Sequence, residues 1–169
     1  MCIRNPVAAT DVTYWRAEPN RGDAPGGEFS ASQPDPIRVR FPAQASQLAV
    51  VRRVLTAWLE AAGTAPDDIA PTVLAVSEAA SNSIEHAYGP SEGWFELDAS
   101  LAPVEAGRSG PRLTVTVRDG GRWQSKPPGA GGRGMGLMAR LMDEFETRRS
   151  DRGTEVWMSR TLAGKEHPR

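Results

Sequence analysis

The sequence predicts an α+β fold: a two-layer sandwich in which a mixed, mostly antiparallel sheet carries its helices on one face. Three observations support this prediction. Apolar residues recur at helical spacing over residues 45–62 and 73–88, alternating strands follow over 94–118, and a short helix precedes one more strand pair. Antiparallel neighbours need only short turns, and the chain has turn signals between its later strands.

The composition fits one cytoplasmic domain. The chain has 169 residues, of which 39% are hydrophobic and 24% charged, as in ordinary globular proteins. Its net charge of −1 gives no indication of a nucleic-acid or membrane surface. Cys2 is its only cysteine, which excludes an internal disulfide framework and suits a reducing compartment. Because no apolar run approaches the roughly 18 residues of a membrane span and no export signal opens the chain, we expect a cytoplasmic location.

The ends of the chain differ from its middle. Residues 1–35 are rich in Pro, Gly, Asp and Arg without apolar periodicity, so we expect a disordered N-terminal tail. Three of its residues are suited to docking on the domain: Val12, Tyr14 and Trp15. The domain itself is expected over 36–163, with a polar C-terminal tail over 164–169.

The domain begins with a strand and a helix. Residues 37–41 alternate apolar and basic side chains and predict a half-buried strand that Pro42 ends. A helix is expected from about residue 45 to Gly63, with Ser46 as a possible N-cap. Its apolar face repeats every three or four residues: Leu48, Val51, Leu55, Trp58 and Ala62.

The next helix, over residues 73–88, carries the first candidate site residues. At about 100° per residue, one side carries Val73, Val76, Ala80, Ile84 and Ala87. The opposite side carries Glu78, Asn82 and Glu85, and small residues lie between: Ala75, Ala79 and Ser81. A solvated amphipathic helix and a carboxylate–amide site both fit this pattern.

Helix signals flank this segment. Asp67 and Asp68 place negative charge at its start, and Pro71 is tolerated in the first turn if Asp68 is the N-cap. Gly89 and Pro90 end it. The expected start therefore lies close to Asp68.

Beyond this helix the chain predicts a hairpin, a loop and a final helix–strand–strand unit. Strands over 94–101 and 112–118 flank a loop over 102–111, and the second strand runs into Asp119. A glycine-rich loop, 120–133, precedes a helix whose buried side is expected to carry Leu137, Met138, Leu141 and Met142. Strands over 145–149 and 154–161 complete the chain around a turn at 150–153.

Two of these segments have the composition of a nucleotide site. A carboxylate at Asp119 is able to accept a hydrogen bond from an exocyclic amine such as that of adenine, beside glycines that a flat ring can approach. The glycines of 131–136 lead into a helix, where bare backbone N–H groups suit phosphate and Arg133 adds charge. Each segment alone also fits a plain turn or linker, and no lysine-bearing phosphate loop is present.

The order of the segments carries more information than any one of them. Glu78-Ala79-Ala80-Ser81-Asn82, then Asp119-Gly120-Gly121, then Gly132-Arg133-Gly134-Met135-Gly136-Leu137, then Gly153-Thr154 resembles the Bergerat-fold (GHKL) ATPases. Within them the chain resembles the bacterial anti-sigma-factor serine-protein kinases, the RsbW-like family, from about residue 37 to 162. Trp123 departs from the pattern, which has a glycine there.

The resemblance implies a role for each matching residue. Glu78 is implied as the general base on a partner's serine, and Asn82 as a ligand of the Mg²⁺ that bridges the ATP phosphates. Asp119, helped by Thr154, is implied to bind the adenine amine. The resemblance places the other residues near the nucleotide, with 120–133 as a lid: His86, Ala87, Gly121, Arg133, Gly134, Met135, Gly136 and Leu137.

The resemblance also implies partners. Such proteins bind a sigma factor, phosphorylate an anti-anti-sigma protein of the STAS type, and form homodimers. His86 is expected to be a wall of the site and not a phosphorylated histidine. Two alternatives stay open from the sequence: a nucleotide-responsive binding module without kinase activity, and a noncatalytic interaction domain.

Overall fold

The computed structural model of the chain describes residues 13–14, 34–88, 92–103, 110–122 and 133–163. Their helices and strands are, in order, β1 Thr13–Tyr14, β2 Ile37–Pro42, α1 Gln47–Ala61, α2 Pro66–His86, β3 Trp94–Ala102, β4 Arg112–Asp119, α3 Arg133–Leu141, β5 Glu144–Ser150 and β6 Gly153–Thr161. The strands form one six-stranded sheet in the order β1-β2-β3-β4-β6-β5. The α+β fold expected from the sequence is confirmed.

Antiparallel pairing runs through the sheet. All five pairings among the described strands are antiparallel, which is stricter than the mixed, mostly antiparallel sheet that we expected. β3 and β4 form the predicted hairpin, with Phe95 opposite Asp119 and Ala102 opposite Arg112. The hairpin and the β4–β6 pairing place Asp119 at the end of a central strand, close to the start of β6.

The prediction of a disordered tail over 1–35 falls almost entirely outside the described residues. Thr13 and Tyr14 are described, and they pair with Arg40 and Val39 at the edge of the sheet. Tyr14 is one of the three residues that we expected to be suited to docking. The C-terminal tail over 164–169 also lies outside the described residues.

The sheet is apolar on one face, and the helices cover that face. Period-two alternation turns Phe95, Leu97 and Ala99 of β3 into the core, together with Val115 and Val117 of β4. α2 contacts β3 and β4, and it lies between α1 and α3. The two-layer arrangement thus follows from strands that are apolar on alternate residues.

Ion pairs occupy the opposite face of the sheet. Arg40 pairs with Glu96 at 3.3 Å, and Arg118 pairs with Glu155 at 2.7 Å. Both pairs are half-buried, but their guanidinium side chains are 48% and 40% exposed, so solvent screens them and each contributes about 1 kcal/mol or less.

α1 follows the predicted helix closely. Val51, Leu55 and Leu59 are buried on its inner side, and Trp58 donates its indole N–H to the carbonyl of Asp35. Ser46 is the N-cap residue, but its side chain makes no capping hydrogen bond to the helix. Its helical backbone angles are the reason, because a capping side chain needs an extended residue.

The start of α2 was predicted wrongly. The helix begins at Pro66 after the extended residue Ala65, and Pro71 lies inside it and not in its first turn. A proline at the first helical position costs no hydrogen bond, so Pro66 is the better start signal. Asp68 is not the cap.

Asp68 instead binds the far end of the chain. Its Oδ1 accepts two hydrogen bonds from the Arg160 guanidinium at 3.1 and 2.8 Å, and its Oδ2 accepts the Ala163 N–H at 2.7 Å. Arg160 also donates to the carbonyl of Leu141, the last residue of α3. One buried carboxylate therefore ties the first turn of α2 to the end of α3 and to the end of β6.

Substituting Asp68→Asn is expected to lower the free energy of unfolding by about 2–3 kcal/mol, because a half-buried guanidinium loses its charged partner. Urea denaturation measures the change. Asp67→Asn is the matched control, since Asp67 is exposed one residue earlier and should change stability by less than about 0.5 kcal/mol. Equal losses in the two variants would contradict the assignment.

The buried face of α2 is rotated from the predicted one. Val76, Ala80 and Ala87 are buried as expected, but Val73 and Ile84 are only half-buried. Ala75 and Ala79, which we placed between the two sides, are fully buried. Small residues allow α2 to pack closely on the sheet, and this contact decides the rotation.

The last part of the chain matches its prediction with small differences. α3 begins at Arg133; Met138 and Met142 are buried, while Leu137 and Leu141 are half-buried. β5 and β6 form the expected pair around residues 150–153. Across the described residues, no helix has the length and apolar character needed to span a membrane.

Candidate functional site

Glu78 and Asn82 lie one turn apart on α2, and both are half-buried. The first turn of α3 lies against them. A side-chain carbon built at Gly134 would lie 3.0 Å from Glu78 Oε2 and 3.7 Å from Asn82 Nδ2. The space beside Gly134 is narrow, and the first turn of α3 therefore lies next to the carboxylate–amide pair.

Asp119 lines the same small pocket as Asn82 and is 5% exposed. Its Oδ1 accepts the backbone N–H groups of Gly121 and Thr154, each at 3.2 Å, and the Ser83 hydroxyl also donates to the carboxylate. The three donors come from the loop after β4, from β6 and from α2. The carboxyl group is therefore fixed by three separate parts of the fold.

Burial raises the pKa of the Asp119 carboxyl above its ordinary value, because the charged form loses its hydration. Hydrogen bonds from Thr154, Ser83 and Gly121 oppose the increase by stabilising the carboxylate. A buried carboxylate with a raised pKa is more common in functional sites than in plain turns. This favours the binding interpretation of Asp119 over the turn interpretation.

The start of β6 crosses the end of β4 at very close range. Gly153 has φ +130°, and a side-chain carbon there would lie 1.8 Å from the carbonyl oxygen of Asp119. Any other residue would be strained in its backbone and would collide with β4. Gly153 thus lets Thr154 reach the Asp119 carboxylate.

The end of α2 is joined to the same turn. The Tyr88 hydroxyl accepts the Gly120 N–H at 2.8 Å and donates to the Trp94 carbonyl at 2.7 Å. The carbonyl of Ala87 lies against Gly121. The turn after Asp119 is therefore held to the helix that carries Glu78.

A small pocket lies between α2, α3, β5 and β6. Its described lining comprises Ala79, Asn82, Ser83, Asp119, Met135, Met138, Thr147, Arg149, Thr154 and Val156. Two threonine hydroxyls in that wall, Thr147 Oγ1 and Thr154 Oγ1, are buried and have no hydrogen-bond partner within the described part of the chain. Unpaired polar atoms around an apolar floor are what a ligand with a polar edge requires.

A second, larger hollow lies between α1 and α2. This groove encloses about 700 Å³, and its lining runs from Leu48 and Arg52 on α1 to Leu74 and Glu78 on α2. Leu74 is 44% exposed, which is unusual for a large apolar residue. The groove therefore opens at Glu78, on the side of α2 away from the small pocket.

The structure brings many of the predicted residues together. Asn82, Asp119, Met135 and Thr154 line the small pocket, and Gly134 lies against Glu78 and Asn82. The described lining does not include five other predicted residues: His86, Ala87, Gly121, Gly136 and Leu137. His86 is buried in α2, and Gly136 has open space where a side chain would point.

Part of the predicted site lies outside the description. Arg133 is the first residue of α3, while residues 123–132, with Trp123 and most of the predicted lid, fall outside the described residues.

Some pocket residues were not found from the sequence. Ser83, Thr147 and Arg149 line the pocket, and Tyr88 anchors its turn. Alternation along β5 puts Thr147 and Arg149 on one face together with Phe145, which is a signal available in the sequence. Tyr88 had no such signal, because its partner Gly120 is distant in the chain.

The residues present suit a nucleotide. The Asp119 carboxylate is a hydrogen-bond acceptor for an amine, and the Thr154 hydroxyl has no hydrogen-bond partner among the described residues. Gly134 has no side chain that would occupy the space beside Asn82, where a phosphate could bind. No group of three or more metal-ligating side chains occurs among the described residues. A nucleotide-bound Mg²⁺ does not need one, because water and phosphate oxygens supply most of its ligands.

Comparison with known proteins agrees with this geometry. A protein family described as the histidine kinase-like ATPase domain matches residues 41–160. The chain is 31% identical over 148 residues to "Serine-protein kinase RsbW" of Bacillus velezensis, covering 78% of this chain and 88% of that protein. It is 29% identical over 145 residues to the protein of the same name from Bacillus licheniformis, covering 76% and 86%.

A solved structure shows the same fold. The chain is similar to the RsbU and RsbW domains of Rv1364c from Mycobacterium tuberculosis, with a TM-score of 0.60 and 24% identity. The match covers 78% of this chain and 34% of that longer one.

Proposed function

The chain belongs to the RsbW-like serine-protein kinases of the histidine kinase-like ATPase family, and on that premise we propose that it transfers a phosphoryl group from Mg·ATP to a serine of a partner protein. Family membership supports ATP as the phosphoryl donor, and the surroundings of Glu78 support a hydroxyl as the acceptor.

One observation carries the proposal. Glu78 Oε2 faces the bare first turn of α3 at Gly134, so a carboxylate and a phosphate-binding helix start share one space. A module that only bound nucleotide would have no need for a carboxylate at this point, since a negative charge repels phosphate. A general base has that need.

Three side chains would have different roles in the transfer. Bound ATP would supply the phosphoryl group. Glu78 would accept the proton of the serine hydroxyl, and the Asn82 amide oxygen would coordinate Mg²⁺. Asp119 would hold the base at the other end, so that the nucleotide is oriented along α2.

The groove between α1 and α2 supports a protein as the acceptor. It meets the site at Glu78 and offers an apolar surface that includes Leu74. A small acceptor would need no such surface, whereas a folded partner would bury it.

Substituting Leu74→Gln is expected to raise the KM for the protein acceptor at least tenfold and to leave Mg·ATP affinity unchanged. Glutamine favours helix and adds no charge next to Glu78, so only the apolar contact is lost. Steady-state phosphorylation and calorimetry measure the two effects. Met135→Gln is the matched control, because Met135 is also a large, exposed apolar residue but lines the small pocket and not the groove. The same effects in both variants would rule out the groove.

The partners follow from the family resemblance. We propose a STAS-type anti-anti-sigma protein as the phosphorylated partner and a sigma factor as the protein that the chain sequesters. We propose a homodimer on the same ground, in the cytoplasm.

The proposed function is tested with radiolabelled Mg·ATP and the purified STAS-type proteins of the same organism. Label on a serine of one of them is the expected result, with no label in an Asn82→Ala reaction. ATP binding without transfer to any of these proteins would support the alternative, a nucleotide-responsive binding module.

A further inference from the structure

Two buried hydroxyls face the nucleotide pocket from neighbouring strands. Thr147 Oγ1 on β5 and Thr154 Oγ1 on β6 lack a hydrogen-bond partner within the residues that the structure describes. Both threonines belong to the lining that contains Asp119. The family resemblance assigned a role to Thr154 but none to Thr147.

The sheet register places the two threonines on one face of the sheet. Thr147 is opposite Val156 and Thr154 is opposite Arg149, so the threonines are diagonal neighbours on the same face. The cavity they border measures about 10 Å³, which is close to the room that one water molecule requires. Thr147, Thr154 and Asp119 all belong to its lining.

A threonine at position 147 lowers the stability of the fold unless its hydroxyl binds a partner. Burying a hydroxyl without a partner is unfavourable, and valine fills almost the same volume with equal strand preference. The unpaired hydroxyl of Thr147 thus does nothing for the stability of the unliganded fold. Its value has to come from the bound state.

We propose that Thr147 is a specificity-determining residue of the nucleotide site, whose hydroxyl holds, together with Thr154, one water that bonds the base beside Asp119. The inference rests on the proposed binding of ATP. The base is the relevant part of the nucleotide, because the Asp119 carboxylate is able to accept a hydrogen bond from an exocyclic amine, which a phosphate does not offer.

The inference predicts that one substitution weakens Mg·ATP binding without lowering the stability of the unliganded protein. In Thr147→Val, the Kd for Mg·ATP is expected to rise about five- to tenfold, the range of one lost hydrogen bond. The thermal midpoint of the unliganded protein is expected to stay the same or rise, since an unpaired polar atom has been removed. Thr147→Ser keeps the hydroxyl and should bind Mg·ATP like the wild type.

Two controls sharpen the experiment. Thr116→Val makes the same substitution on β4 at a buried site on the other face of the sheet, and Mg·ATP affinity should not change. Magnesium tripolyphosphate, which has no base, should bind wild type and Thr147→Val equally.

An unchanged Mg·ATP affinity in Thr147→Val would overturn the inference, and so would a loss accompanied by an equal loss for tripolyphosphate. A weaker affinity with a lower thermal midpoint would also overturn it, because it would show a structural role. The proposed kinase function fails separately: serine transfer can be absent while Mg·ATP binding still depends on Thr147.

Discussion

Replacing Glu78 by glutamine is expected to reduce serine phosphorylation by about 10²- to 10⁴-fold, the usual contribution of a general base. The glutamine amide has nearly the same shape as the carboxylate, so the space beside Gly134 is unchanged. Unlike the carboxylate, the amide cannot accept the proton of the serine hydroxyl. Mg·ATP affinity should stay within about twofold of the wild type, or improve slightly, because a negative charge near the phosphates is removed. Single-turnover transfer and calorimetry on the same preparation measure the two quantities.

Glu85→Gln is the matched control. Glu85 is exposed on the same helix, where it accepts a hydrogen bond from Ser81. It belongs to the described lining of neither the groove nor the small pocket. Its loss should leave transfer unchanged. Persistent transfer in Glu78→Gln at the wild-type rate would assign the proton to another group.

Replacing Asp119 by asparagine is expected to weaken Mg·ATP binding by about 10- to 100-fold, the range of a lost hydrogen bond to a charged acceptor. The asparagine oxygen would still accept the Gly121 and Thr154 N–H groups. Its amide would then turn a donor toward the amine of adenine, which is itself a donor. Binding is lost without loss of the local fold.

Asp119→Asn should not lower the stability of the fold, although it weakens Mg·ATP binding. Burial raises the pKa of Asp119, so the folded state binds this proton more tightly than the unfolded state does. Above that raised pKa the charged carboxylate costs folding energy, and the cost disappears as the pH falls through it. At neutral pH, Asp119→Asn should therefore leave the free energy of unfolding unchanged or increase it.

The same pKa predicts how binding depends on pH. A protonated Asp119 is a poorer acceptor, so Mg·ATP affinity should decrease as the pH falls through a pKa above the ordinary aspartate value. The Asp119→Asn variant should lack this step, which calorimetry over a pH series detects. Asp98→Asn, on the open face of the neighbouring strand, should behave like the wild type in both respects. A step that remained in the Asp119→Asn variant would belong to a different group.

The sequence by itself determined the fold class, the pairing of β3 with β4 and the places of Glu78, Asn82 and Asp119 on their helix and strand. These features depend on short-range patterns. Period-two alternation decides which strand residues enter the core, and helical spacing puts Glu78 and Asn82 one turn apart whatever packs around them. The glycines around Gly134 and the carboxylate at the end of β4 were visible for the same reason.

The tertiary structure decided what depends on contacts between distant segments. Asp68 was expected to cap its own helix, yet Arg160 and the Ala163 N–H, more than ninety residues away, bind its carboxylate. The rotation of α2, which buries Ala75 and Ala79, is set by the sheet beneath it. The unpaired hydroxyl of Thr147 is defined only when β5, β6 and α2 enclose it, because no pattern in a sequence records that a buried group lacks a partner.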